Sequence, residues 1–194
     1  FCQEEAEKKR IIEFVFIMSP TVYINQLDEQ TSRISAPSPV VFTPSVGFII
    51  PNNTLFAVEP TVSFYTSYYQ LANGMAVPAE IENRTATVLS LIVDLPLVVS
   101  VFFDSSKLQI STGPAALLRF PFLANGVSET DYGFSGTAAG DVEQINSFFW
   151  ENTRYLYISA NISWMYSFHN NSKFGPYIAA YIPLGSLIAS EGVN

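Results

Sequence analysis

Phe56-Ala57-Val58-Glu59-Pro60-Thr61-Val62-Ser63-Phe64-Tyr65 decides how this chain is read. Phe56, Val58, Pro60, Val62 and Phe64 fall on one parity, and Glu59, Thr61, Ser63 and Tyr65 on the other. In a strand successive side chains point to opposite faces, so the stretch describes a sheet with one apolar and one small or polar side. Seven stretches share this rhythm. Such a face must be covered, and the sequence offers almost no helix to cover it. That points towards lipid.

The composition leans the same way. Of 194 residues, 48% are hydrophobic and 13% charged, against roughly 25% charged in an average soluble domain. The length suits a single domain. No uninterrupted apolar run reaches the ~18 residues of a transmembrane helix. The nearest, Val88 to Phe103, contains Asp94 and Pro96 and is rich in Val, so it reads as β. A net charge of −8 argues against nucleic-acid partners. Cys2 is the only cysteine, which excludes an internal disulfide. It reads as an incidental thiol at a mature terminus; Phe1 in front of it disfavours the alternative, a lipid-modified cysteine. Phe1 itself fits a terminus left after signal-peptide cleavage. Sequons at Asn52, Asn83, Asn161 and Asn170 read as accidents of an Asn- and Ser/Thr-rich chain.

Outward from residue 56, the alternation predicts one domain over 11–194 behind a charged lead-in, 1–10. Strands are expected near 11–24, 39–50, 54–69, 81–103, 107–122, 154–168 and 174–188. Within the long connection 123–153, Asp141 and Gln144 have capping-box spacing, and Val142, Ile145 and Phe149 have helical spacing. A short helix is expected near 142–152. It could lie in a membrane interface, cover the mouth of a barrel, or pack as an ordinary loop helix.

Alternation alone does not say which face looks outward. In a soluble barrel or sandwich the apolar face looks in; in a membrane barrel it looks out. Here the polar faces carry Ser, Thr, Gly, Ala and Tyr rather than the Lys and Glu of a watery surface. The apolar faces are long enough for a band roughly 25 Å tall. Tight links (51–53, 104–106, 169–173) alternate with long ones (25–38, 70–80, 123–153) if 81–103 is one strand.

In this pattern, across most of its length, the chain resembles the small bacterial outer-membrane β-barrel proteins. The resemblance implies an all-β, antiparallel, up-and-down transmembrane barrel in a bacterial outer membrane. Its expected role is structural, adhesive or that of a narrow pore. Membrane lipid is the implied partner, and the long loops are the candidates for protein contacts. Such barrels have even strand numbers and typically end on an aromatic residue, whereas Ser190-Glu191-Gly192-Val193-Asn194 reads as a loop. Either a closing strand is missing or Asp94-Leu95-Pro96 is a turn; the turn, and a count of about eight strands, is the preferred reading.

Catalytic chemistry is poorly supplied, and no enzymatic activity, cofactor or metal is expected. His169, the sole histidine, sits in a turn of Asn, Ser and Lys. Gly133-Phe134-Ser135-Gly136 lacks the spacing of a nucleophile elbow. Ionisable residues on the polar faces, Glu13, Glu59, Glu82, Arg84, Asp94, Lys107 and Arg119, are the interesting set. If those faces line an interior, the charges must pair or stay wet. The expectation is an ionic network of Glu13, Glu59, Arg84 and Arg119 that plugs the interior, or, in a functional version, gates a narrow pore. The rival class is a soluble β-barrel or sandwich that binds an apolar ligand or self-assembles, with Phe56, Phe64 and Trp164 inside.

Overall fold

The computed structural model describes residues 12–22, 33, 35–36, 40–53, 55–168 and 173–184. The lead-in 1–10, Cys2, His169 and the sequon at Asn170 lie outside them, as do the ends expected for the first and last strands.

Among the described residues the chain is all-β with one α-helix. Its strands are β1 (Glu13–Val22), β2 (Val40–Pro51), β3 (Phe56–Val58), β4 (Thr61–Ala72), β5 (Met75–Pro78), β6 (Ala86–Asp94), β7 (Leu97–Phe102), β8 (Ser106–Leu123), β9 (Leu156–Ser167), β10 (Lys173–Phe174) and β11 (Tyr177–Pro183). Helix α1 (Ala138–Trp150) precedes β9. All pairings are antiparallel, and β2, β4, β6, β8, β7 and β3 form a hydrogen-bonded ring.

That ring arises because two long strands are interrupted at prolines. Gly47↔Thr61 and Ile50↔Val58 keep one register across Glu59-Pro60. Asp94↔Ala115 and Leu97↔Thr112 keep one register across Leu95-Pro96. Lys173↔Ser167 and Tyr177↔Ser163 do the same across Gly175-Pro176. Proline cannot donate to a ladder, yet its carbonyl still accepts. Phe48 N donates to Pro60 O at 3.1 Å, Glu59 N to Pro96 O at 3.0 Å, and Leu95 N to Pro114 O at 3.0 Å. Asp94-Leu95-Pro96 is therefore a break within one strand and not a turn. In place of the expected eight, the described residues form a meander of seven long strands: β1, β2, β3/β4, β6/β7, β8, β9 and β10/β11.

Turn chemistry sets the two ends. Asn53 Oδ1 accepts from Leu55 N and Phe56 N, both at 2.8 Å, closing the link from β2 to β3. At the opposite end Asn73 and Gly74, with φ of 51° and 72°, make the two-residue hairpin between β4 and β5. The tight links share the first end, the turn end; the long connections share the other, the loop end.

Helix α1 begins four residues before the expected start. Thr137 is its N-cap, with Gly140 N donating to Thr137 Oγ1 at 3.2 Å. Asp141 is no cap: it is fully buried and accepts from Phe134 N and Ser135 N at 3.0 and 2.7 Å, tying the preceding loop to the helix. Ile145 and Phe149 pack on Leu71, Ala76, Ala86 and Val88. The helix thus covers the loop end of the inward face.

Candidate functional site

The two faces of the sheet are the site. Along β4, Thr61, Ser63, Tyr65 and Ser67 are buried while Val62 and Phe64 are exposed. Along β8, Lys107, Gln109 and Ser111 are buried while Ile110, Phe120 and Phe122 are exposed. Phe14 is 67% exposed and Phe56 and Phe64 are each 49% exposed. The small and polar parity faces in and the apolar parity faces out. Phe56 and Phe64 are thus not interior residues, as the soluble alternative requires; Trp164 shares their outward parity with exposed Ile162 and Tyr166.

The interior is filled in layers. At the turn end Lys107, only 5% exposed, lies with its Nζ 3.3 Å from Glu13 Oε2, and Lys173 pairs with the other oxygen of the same carboxylate. One carboxylate serving two ammonium groups limits what burial of Lys107 costs. Above this layer Gln109 Nε2 donates to Ser100 Oγ at 3.3 Å and Asn161 Nδ2 to Ser111 Oγ at 3.1 Å. Ser45 and Ser63 hydroxyls meet at 2.6 Å. Asp94, 1% exposed, reaches across β8 to the Ser159 hydroxyl, which lies 2.7 Å from its Oδ1. Gly113 makes this possible. A Cβ there would stand 2.6 Å from Pro96 Cα and press on the Leu95 carbonyl, so only glycine admits the close approach.

Next comes an apolar layer of Tyr65, Ile92 and Leu117, against which Val41, Tyr157 and Tyr181 pack. Arg119 follows, with Nη2 donating to Tyr157 Oη at 3.0 Å and its guanidinium 4.5 Å from the Phe149 ring centre. Helix α1 closes this end.

The expected network of Glu13, Glu59, Arg84 and Arg119 does not form. Glu13 pairs with Lys107 and Lys173 instead. Glu59 lies within electrostatic reach of Lys107, Asp94 and Glu13, so the two expected carboxylates do share a layer, but with Lys107 and not with either arginine. Arg119 belongs to the helix layer, separated from Glu13 by the apolar layer. Arg84 sits on the loop side, 4.8 Å over the Tyr68 ring, with Nη2 donating to Asn125 O at 3.4 Å. Lys173, which joins the pair, reads in the sequence as the last residue of a turn. Its parity, shared with Tyr177 and Tyr181 on the inward side of β11, is the available signal.

Above the loop end, Tyr132 is 94% and Phe134 69% exposed. Nearby lies a cleft of about 430 Å³ lined by Arg33, Gln70, Glu80, Asn83 and Phe134 among others. Among the described residues, no group of three His, Cys, Asp or Glu side chains is placed to hold a metal. No family model, curated protein or solved structure matches the chain.

Proposed function

We propose that the protein is an integral β-sheet protein of a bacterial outer membrane, with a structural or adhesive role. The reading is carried by one observation: the outward face of every long strand is apolar. In water, contiguous exposed apolar patches rarely exceed a few hundred Å². A face of this size needs hydrocarbon around it. No helix of the described residues is long and apolar enough to cross a membrane; in this reading the crossing segments are the strands.

The dimensions support this. From Leu108 to Phe120, β8 advances about 40 Å at roughly 3.3 Å per residue, and a tilt of roughly 35–45° turns that into about 28–33 Å of height. A hydrocarbon core is about 30 Å thick. Aromatic clusters mark both levels. Phe103 stacks on Trp164 at 5.2 Å beside Tyr166 at the turn end, and Trp150 sits 6.2 Å from Phe120 and 5.5 Å from Tyr155 at the loop end. Amphipathic rings gather at the two membrane interfaces.

The filled interior favours a structural or adhesive role over a pore. In a narrow barrel the side chains occupy the space a solute would need. The braced loop carrying Tyr132 and Phe134 is the surface offered to partners.

Membrane fractionation followed by electrophoresis of unheated and boiled samples tests the proposal. The chain should enter the detergent-soluble membrane fraction and migrate faster before boiling than after. A monomer that stays soluble in plain buffer sinks it.

A further inference from the structure

The meander leaves two outer strands, β1 and β11. Among the described residues β1 pairs with β2 and β11 with β9, and no ladder joins β1 to β11. With seven strands in alternating directions, these two run the same way. We infer that β1 and β11 meet edge to edge as a parallel pair and close the sheet into a seven-stranded barrel. The inference rests on the lipid-embedded reading, because in hydrocarbon each backbone group without a partner costs several kcal/mol, whereas water satisfies a free edge.

Two interior contacts relate the levels of these outer strands. At the turn end, Glu13 of β1 pairs with Lys173 of β10, which leads into β11. At the loop end, Tyr181 of β11 and Val41 of β2 pack on the same cluster, and Val41 is the ladder partner of Thr21 in β1. Glu13 to Thr21 and Lys173 to Tyr181 each span eight residues. Because the Glu13 carboxylate also spans the interior to Lys107 of β8, these contacts fix the level of the strands and not their adjacency: 173 stands level with 13 and 181 level with 21.

The ladders supply an independent check. Crossing the sheet at right angles to the strands, Glu13 leads to Ile49, Glu59, Pro96, Gly113, Ser159 and finally Tyr181. Closing the circuit at Thr21 rather than Glu13 is a shear of eight residues. A climb of eight residues at about 3.3 Å, over seven strands about 4.8 Å apart, is roughly 26 Å in roughly 34 Å, a tilt of about 38°. Closed barrels tilt by roughly 35–45°. An even shear also keeps parity: Glu13 and Thr21 both face in, as do Tyr177 and Tyr181, so no side chain changes face at the seam. Parallel ladders are slightly weaker than antiparallel ones, which makes this seam the weakest line of the wall.

Disulfide trapping tests the seam. In a Cys2→Ser background, Ser19→Cys with Ala179→Cys, and Thr21→Cys with Tyr181→Cys, place paired thiols on neighbouring strands. A disulfide needs Cα atoms roughly 4.4–6.8 Å apart. Oxidised membranes should give an intrachain cross-link in most molecules for both pairs, seen as faster migration without reductant after boiling. Val15→Cys with Ala179→Cys, displaced by four residues or about 13 Å, should give none. The single-cysteine parents, run unheated and boiled, report folding and insertion. If they are folded and embedded but both in-register pairs stay reduced, or link only between copies, or the displaced pair alone links, the parallel seam is wrong while the membrane reading stands. If the parents prove soluble, both fall.

Discussion

Phe64→Arg separates a hydrocarbon environment from an aqueous one by the size of its effect. Phe64 lies midway along the strand formed by β3 and β4, on the outward face, and is 49% exposed. An Arg on the lipid face near the bilayer midplane costs about 2–4 kcal/mol, and about 0–1 kcal/mol near the interfaces. At roughly 1.4 kcal/mol per factor of ten, Phe64→Arg should shift the folding equilibrium by about 30-fold to nearly 1,000-fold. Phe122→Arg, at the loop end of β8, should cost well under half as much. On a water-exposed surface the same changes fall within about ±0.5 kcal/mol. Urea unfolding of the protein in lipid vesicles, followed by the fluorescence of Trp150 and Trp164, gives the numbers. Equal effects at both positions, or a neutral Phe64→Arg, would refute the reasoning.

Gly113→Ala puts a Cβ 2.6 Å from Pro96 Cα and against the Leu95 carbonyl, backbone atoms that cannot swing aside; the expected loss is about 1–3 kcal/mol or more by the same titration. Glu13→Gln leaves the ammonium of buried Lys107 beside that of Lys173 with only Glu59 in electrostatic reach, and because Glu13 and Lys173 are partly exposed it should cost about 1–3 kcal/mol. Lys107→Met should cost less, because Glu13 keeps Lys173; the reverse order would remove the carboxylate from the centre of that cluster. Ile145→Ala, at a fully buried position between α1 and the sheet, should cost about 2–5 kcal/mol and expose the loop end to proteases.

The faces were legible because strand parity is local: Val62 and Phe64 against Ser63 and Tyr65 needs only a period of two. The strand count was harder. Pro60 and Pro176 fall inside single expected strands, but Asp94-Leu95-Pro96 reads as a turn, and only the register on both sides of Pro96 shows that the chain runs straight through. The helix was found but started late. Asp141 and Gln144 imitate a capping box, whereas the cap is Thr137 and Asp141 turns back to hold Phe134 and Ser135. The interior network was the least legible part. Glu13 and Lys107 were both in the inward set, but pairing them needs the curl of the sheet, which brings residues 94 positions apart to 3.3 Å. Arg119 looked like the centre of that network because it is an inward cation. Its ring partner, Phe149, comes from a helix whose docking no strand pattern encodes.

The outward direction of the apolar parity is tested most directly by spin labels placed singly along β8 from 108 to 118, in the membrane-inserted protein. Collision rates with oxygen, which concentrates in hydrocarbon, and with a water-soluble nickel complex should oscillate with a period of two. Labels at 108, 110, 112, 116 and 118 should meet oxygen and be shielded from nickel, while those at 109, 111 and 117 should be shielded from both. Nickel access at the even positions would place that face in water.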